Sequence, residues 1–291
     1  MLGTRELRRR IRTIENVGRV VDAMEKISAA RLSREKTRVL GSRPYIEAVE
    51  RAVRNLATTD RPPNPLLRHN ASRDCLLIIV ASDKGLCGSY NSNIIRAADK
   101  FAAEYQHRRL HLITCGRKLR KFYPRIRGGI LRESIPVPGP PYDELADELA
   151  GMIMQHYLME QTGYVYLLYT GFRSLGANRP VLKRILPVEP VARPRPVNYV
   201  YFYEPTVSAV LELLLPQYVR LTVWAAFAEA AASEHAARMV MMQQASLNAR
   251  EMVGDLVLAS NKLRQANITR ELSDIVGTAE ALTGRSRRGA A

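Results

Sequence analysis

Between an apolar run ending at Ala81 and a helix-like run beginning near Asn93, the chain reads Ala81-Ser-Asp-Lys-Gly-Leu-Cys-Gly-Ser-Tyr-Asn91. A glycine-bearing turn from strand to helix can hold a phosphate, because backbone N–H groups at a helix N-terminus point at the anion. The spacing here matches neither the P-loop nor the dinucleotide fingerprint. The simpler reading is a tight turn that sets a helix on a sheet, with Asn91 or Ser92 as the helix cap. Cys87 sits in this turn. Cys75 and Cys115 sit in apolar, strand-like runs, where packing in a core is reason enough for them. Three cysteines, an odd and widely spaced set, form neither a disulfide framework nor a metal site. His69, His107, His111, His156 and His235 lack metal-ligand spacing, and no catalytic triad or paired carboxylate is evident. The expectation is no catalytic residue, no cofactor and no metal.

The elements that would position such a loop are readable. Cys75 to Ala81, Leu110 to Cys115 and Tyr164 to Thr170 read as buried strands, and Tyr199 to Tyr203 as an edge strand. Asn93 to Tyr105 and Tyr142 to Leu158 read as helices. Strands alternating with helices predict a mostly parallel, Rossmann-like α/β sheet domain covered on both faces. With 46 % hydrophobic residues the chain can bury real cores. No apolar run reaches the length needed to cross a bilayer; Leu221 to Ala232 comes nearest and holds Glu229. The basic N-terminus is not followed by an apolar stretch of signal type, so the expectation is a soluble protein.

Both ends are helical. Leu7, Ile11, Ile14, Val17, Val21, Met24 and Ile27 recur at helical spacing from Thr4 to about Leu40. Gly41 to Pro44 should break or bend this helix, which resumes to about Ala57. A proline-rich linker follows, from Thr58 to Pro65. From Pro216, expected as the first helical residue, to about Leu282 no further proline intervenes, too long a helix for a globular domain. Met242, Ala245, Ala249, Met252, Leu256, Ala259, Leu263 and Ala266 follow alternating steps of three and four, the seam of a coiled coil. Beyond Ala266 the stripe changes phase, to Ile268, Leu272, Ile275, Ala279 and Leu282. The expected organisation is residues 1–57 as an N-terminal coiled-coil helix, 58–207 as the α/β domain and 208–291 as the C-terminal coiled-coil helix with a short basic tail. The two terminal helices would pair antiparallel.

Several separated stretches resemble the gamma-subunit family of F-type ATP synthases. These are ELRRRI from Glu6, ENVGRVVDAMEKISAARL from Glu15, SRPY from Ser42, SDKGLCGSYN from Ser82, YEP from Tyr203, SEHAARMVMM from Ser233 and NKLRQANITRELSDIVGTAEAL from Asn261. They cover nearly the whole chain in order. The resemblance implies a non-catalytic central-stalk rotor, one copy per complex. Its coiled coil would stand inside a ring of alpha and beta subunits that hold the nucleotide sites. Its α/β domain would lie against the epsilon subunit and the membrane-embedded c ring, at the cytoplasmic face of a bacterial membrane, peripherally. It further implies that Met24, Asn261, Lys262, Arg264 and Gln265 face beta subunits, and that Tyr201, Tyr203 and Glu204 form the foot near the c ring. Gly18, Val21 and Asp22 stand where polar or basic residues are usual in the family. Leu247 stands for an acid, and Ser260 and Leu263 for a tyrosine and an alanine. These departures mark a diverged bacterial member.

Two other readings carry their own signatures. An α/β enzyme with a coiled-coil arm would use Gly85 to Gly88 for a phosphate ligand and would bind nucleotide alone. A nucleic-acid or tether protein would use the +16 charge, from 44 Lys and Arg against 28 acids, and bind in a salt-sensitive way. The basic residues are scattered and no nucleic-acid motif is present, so nucleic acid is not expected as a partner.

Overall fold

The computed structural model describes residues 4–56, 64–105, 108–121, 129–137, 139–176, 178–188 and 204–288. They fall into two compact units, Ile27–Met241 and the pair Met1–Lys26 with Met242–Ala291. Two helices, α1 (Thr4–Leu56) and α4 (Val207–Arg288), contribute to both.

In the larger unit, five strands form one sheet in the order β3-β2-β1-β4-β5. They are β1 (Cys75–Val80), β2 (Leu110–Cys115), β3 (Gly129–Ile135), β4 (Tyr164–Gly171) and β5 (Arg179–Leu186). The first four are parallel and β5 runs antiparallel to β4 at the edge. The side-chain period of two divides the central strand cleanly. Leu76, Ile78 and Val80 enter a core shared with α3 (Asp143–Leu158), with α1 through Val39, Val49 and Val53, and with α4 through Leu211, Leu215, Val219, Val223 and Phe227. Cys75, Leu77 and Ile79 face the other way, under Ile94, Ala98 and Phe101 of α2 (Tyr90–Glu104). Residues such as Leu76 and Leu77 are fully buried, and truncating one to Ala costs about 2–5 kcal/mol. The thiols of Cys75 and Cys115 serve these cores, and burial pushes both up to about 12.

Three expectations need correction, and two strands were missed. Helix α1 does not end at Gly41–Pro44; Pro44 lies inside it. Proline removes one helical hydrogen bond, but Val39 on one side and Val49 and Val53 on the other are 0–8 % exposed, and that burial outweighs the local cost. Helix α4 starts at Val207, not at Pro216. Thr206 caps it by accepting from the Ala209 N–H at 3.2 Å, and Pro216 lies within between the buried Leu215 and Tyr218. Asn91 is no cap: it belongs to α2, whose N-cap position is Ser89. Strands β3 and β5 were not anticipated, because charged residues interrupt both, as in RPVLKRIL. The proposed strand Tyr199 to Tyr203 lies outside the described residues. The apolar early part of α4 has the length and composition to cross a membrane, yet Leu211, Leu215 and Val219 are spent on the sheet core.

Candidate functional site

In the smaller unit the two helices run antiparallel. A Cβ added at Gly18 would lie 3.7 Å from that of Ala249. One turn further along α1, and one turn back along α4, the Ser246 hydroxyl donates to Asp22 Oδ1, and Arg250 pairs with Asp22 Oδ2 at 3.4 Å. The more buried positions of α1 include Leu7, Ile11, Ile14, Gly18 and Val21, and those of α4 include Met242, Ser246, Ala249, Val253, Leu256, Ser260 and Leu263, with Ala245 half-buried beside Ser246. Both sets step by three and four, the coiled-coil repeat. The seam therefore keeps Met242, Ala245, Ala249, Leu256 and Leu263 as expected, adds the more deeply buried Ser246 beside Ala245, and takes Val253 and Ser260 instead of Met252 and Ala259. On α1 it takes Gly18 instead of Val17.

The displaced apolar residues face outward. Val17, Val20, Leu247, Met252 and Leu258 are 52–62 % exposed. The Asp22–Ser246 bond explains part of the exchange, since a buried hydroxyl is cheap once it has a partner. That bond, ahead of Arg250 and Lys26, holds the Asp22 carboxyl below its ordinary value.

Extending this register opposes Leu263 to about Thr4, so the paired length ends there among the described residues. Asn261, Lys262, Arg264 and Gln265 are exposed at that end. Past them Ile268, Leu272, Ile275 and Val276 are 48–65 % exposed, which places the phase change of the stripe where α1 stops covering it. Met24 is half-buried on α1, opposite the neighbourhood of Met242. It stands roughly 18 residues of helix, or about 27 Å, from Asn261, so these residues form no single cluster. Glu204 is exposed just before α4; Tyr201 and Tyr203 lie outside the described residues.

The loop after β1 is fully engaged by its own fold. Asp83 accepts from the Arg117 N–H at 2.8 Å, from Arg117 Nε at 3.0 Å and from the Val137 N–H at 3.4 Å. Ser82 bonds the Asn91 amide at 2.8 Å and the Lys84 carbonyl at 2.7 Å. Gly116 has φ +113, and a Cβ there would stand 2.4 Å from the Ala81 carbonyl oxygen, so only glycine fits. The strand order reverses between β1 and β4, the point where doubly wound sheets bind ligands. Here α4 fills that crevice. Arg238 donates from Nε and Nη2 to the Gly85 carbonyl, each at 3.2 Å. The loop thus offers a carbonyl to a cation, the opposite polarity to a phosphate cradle. Cys87 is buried beside Ser82, and burial raises its pKa.

The ATP synthase family model matches residues 3–282. An ATP synthase gamma chain of Pelotomaculum thermopropionicum is 36 % identical over 284 residues, 97 % of this chain and 100 % of that protein. One from Roseiflexus castenholzii is 37 % identical over 294 residues, covering 97 % and 99 %. The chain belongs to the ATP synthase gamma chain family. Its fold is that of a chain in the Euglena gracilis mitochondrial ATP synthase, solved with OSCP, F1 and c ring, with a TM-score of 0.71 at 17 % identity over 97 % of this chain and 95 % of that one. A central-stalk chain of the Tetrahymena thermophila mitochondrial enzyme gives a TM-score of 0.59 at 23 % identity, covering 78 % and 99 %.

Sequence reasoning missed the residues that tie this gamma chain's sheet domain to α4. Arg238 is 7 % exposed and pairs with Glu234; the i, i+4 acid–base spacing inside an apolar helix was the available signal. His235 Nδ1 accepts from Arg238 at 3.3 Å. Burial first, then Arg238, Arg31 and Lys84, lower its pKa to about 4, so the ring is neutral. An open cleft of about 1390 Å³ at the ends of β1 and β3 is lined by Asp83, Arg117, Glu133, Tyr142, Glu234 and His235. Asp83 and Glu234 are already engaged there by Arg117 and Arg238, and among the described residues no cluster of His, Cys, Asp or Glu could hold a metal.

Proposed function

We propose that this chain is the non-catalytic central-stalk rotor of an F-type ATP synthase, coupling rotation of a c ring to ATP synthesis or hydrolysis in an alpha/beta ring. The observation that carries the reading is the apolar outer surface of the shaft. Gly18, Ser246 and Ser260 share the seam with Leu7, Ile14, Leu256 and Leu263, while Val17, Val20, Leu247, Met252 and Leu258 point outward. A coiled coil standing free in water keeps its outer face polar. Exposed apolar surface on this scale marks a protein contact, and the single-helix extension carrying Ile268, Leu272 and Ile275 continues it. A sleeve of alpha and beta subunits fits both. Because the outward residues differ around the shaft, each turn presents each beta subunit with a changed surface, which is how rotation reaches nucleotide sites held elsewhere.

Met24, Asn261, Lys262, Arg264 and Gln265 are the shaft's contacts with beta subunits; Tyr201, Tyr203 and Glu204 form the foot on the c ring, with the epsilon subunit against the sheet domain. The complex sits peripherally on the cytoplasmic face of a bacterial membrane. The basic surface faces acidic protein, not nucleic acid. Arg264 offers a planar fork of donors to carboxylates and Gln265 a donor and an acceptor. Replacing both with Ala should lower ATP turnover of the assembled complex about tenfold, as expected from losing charged hydrogen bonds of roughly 1.5–3 kcal/mol, with the helicity of the isolated chain unchanged. Wild-type turnover in an assembled double variant would remove these two residues from the torque path.

A further inference from the structure

We propose that Arg238 and Tyr90 form a two-point clamp that locks the sheet domain to α4 against twist, so that torque passes between them through polar links and not through the apolar core. The proposal rests on the rotor reading. Beyond Leu211, Leu215, Val219 and Val223, the stretch of α4 beside the loop buries mostly small side chains: Ala226, Ala228, Ala230, Ala232 and Ala236 are 0–3 % exposed, with Phe227 the one large apolar residue among them. Apolar burial is non-directional, and a surface of methyl groups offers few ridges to stop a helix rotating about its own axis. Along that stretch, directional bonds supply the resistance that side-chain ridges do not.

The structure places them at both ends of one loop. At its start the Gly85 carbonyl takes two bonds from the Arg238 guanidinium. At its end the Tyr90 hydroxyl donates to the Ala230 carbonyl of α4 at 3.2 Å. Both side chains are buried, at 7 % and 5 % exposure, where a hydrogen bond escapes competition from water. Positions 230 and 238 are about 12 Å apart along a helix and about 80° apart around it. One point of attachment permits pivoting; two so placed resist rotation and sliding together. The guanidinium is itself positioned: Glu234 accepts from its Nη2 and His235 Nδ1 from its Nη1. Beside the clamp, Glu229 accepts from the Phe172 N–H at 3.2 Å, fixing the end of β4 to the same helix turn. This arrangement also accounts for the loop's glycines without a ligand. Gly88 has φ +58, and a Cβ there would stand 2.9 Å from the Met241 side chain, so the loop lies close against α4.

The test uses the whole complex with its catalytic ring fixed to a surface. A probe is attached through Gln155→Cys on the exposed side of α3; the native cysteines are 0–3 % exposed and do not compete for label. Arg238→Met keeps side-chain length and removes the donors, and Tyr90→Phe removes one hydroxyl. Angular variance of the stalled probe scales inversely with torsional stiffness, so losing either of two clamp points should widen it about twofold, and losing both should widen it further. ATP-driven ion pumping per ATP hydrolysed should fall in the double variant, while hydrolysis by the ring itself holds. An assembled double variant with wild-type angular spread and pumping ratio overturns the clamp. So does a fall of hydrolysis and pumping in step with unchanged spread, which is the mark of a merely structural lesion. If Arg238→Met does not assemble, Tyr90→Phe decides alone. A labelled wild-type complex that does not turn with ATP overturns the rotor reading itself, and the clamp with it.

Discussion

Gly18 stands in the middle of a half-buried seam, inside a helix, with no need for its special backbone freedom. Replacing it with Ala is the sharpest perturbation of the shaft. A glycine in a helix interior is about 1 kcal/mol less favourable than alanine, partly because it gives the unfolded chain more freedom to lose. The new methyl would lie 3.7 Å from the Ala249 Cβ, ordinary van der Waals contact, so no strain opposes the gain. Partial burial of that methyl adds a fraction of the about 0.8 kcal/mol expected for one buried CH₂. The total is about 1–1.5 kcal/mol in favour of the paired state. Native-state hydrogen exchange reads this locally: amides flanking Gly18 on α1 and Ala249 on α4 should exchange about five- to tenfold more slowly in Gly18→Ala. Amides of the sheet strands should be unmoved. Faster exchange at either helix would refute the reasoning, because it would mean the helices need to approach more closely than a methyl allows.

Four further outcomes follow from particular contacts. Asp22 has a depressed folded-state pKa, so its contribution to the shaft is present above the ordinary aspartate pKa and is lost as pH falls through the lower folded value; helix-pair melting followed by circular dichroism should soften below about pH 4, and Asp22→Asn should flatten that dependence. His235 is held neutral with a folded pKa of about 4 against 6.5, so the sheet domain should lose stability as pH falls from about 6.5 towards 4, by on the order of 3 kcal/mol at most, and His235→Gln should lose this slope in urea titrations. Cys87→Ser should leave ATP turnover of the assembled complex within about twofold, well short of the tenfold that a barrier change of about 1.4 kcal/mol would give, and a larger loss with normal assembly would reopen a chemical role for the loop. Pro44→Ala should raise the thermal midpoint by restoring a helical hydrogen bond, with a gain of about 1–3 kcal/mol; a lower midpoint would mean that α1 needs the proline to follow the sheet.

The sheet's central strands, α2 and α3 and both long helices were legible because each carries an unbroken apolar signal: CLLIIV fills one strand and is buried throughout. What was not legible was set by neighbours. Strands β3 and β5 lie at the two edges of the sheet, where outward charges are welcome and blur the alternation. The continuity of α1 through Pro44 and of α4 through Pro216 is decided by core residues on either side, which local rules do not see. The proposed torque contacts were named from resemblance, and the structure separates them into a half-buried Met24 and an exposed group at the end of the paired length.

The seam error is the more instructive one, since it occurred on both helices in the same direction. Following the larger side chain at each step selects Val17 over Gly18 and Met252 over Val253, one position off the line of contact. That choice assumes water surrounds the helix pair, so that apolar residues belong between the helices. The structure instead places Gly18, Ser246 and Ser260 in the seam, Ser246 buried and the other two half-buried, and turns Val17, Leu247, Met252 and Leu258 outward. Small seam residues let the two helices stay slim, and outward apolar residues give them a surface that grips. A shaft that must turn inside a protein sleeve needs both properties, and a sequence that satisfies them will misdirect any reading that treats the chain as complete in itself.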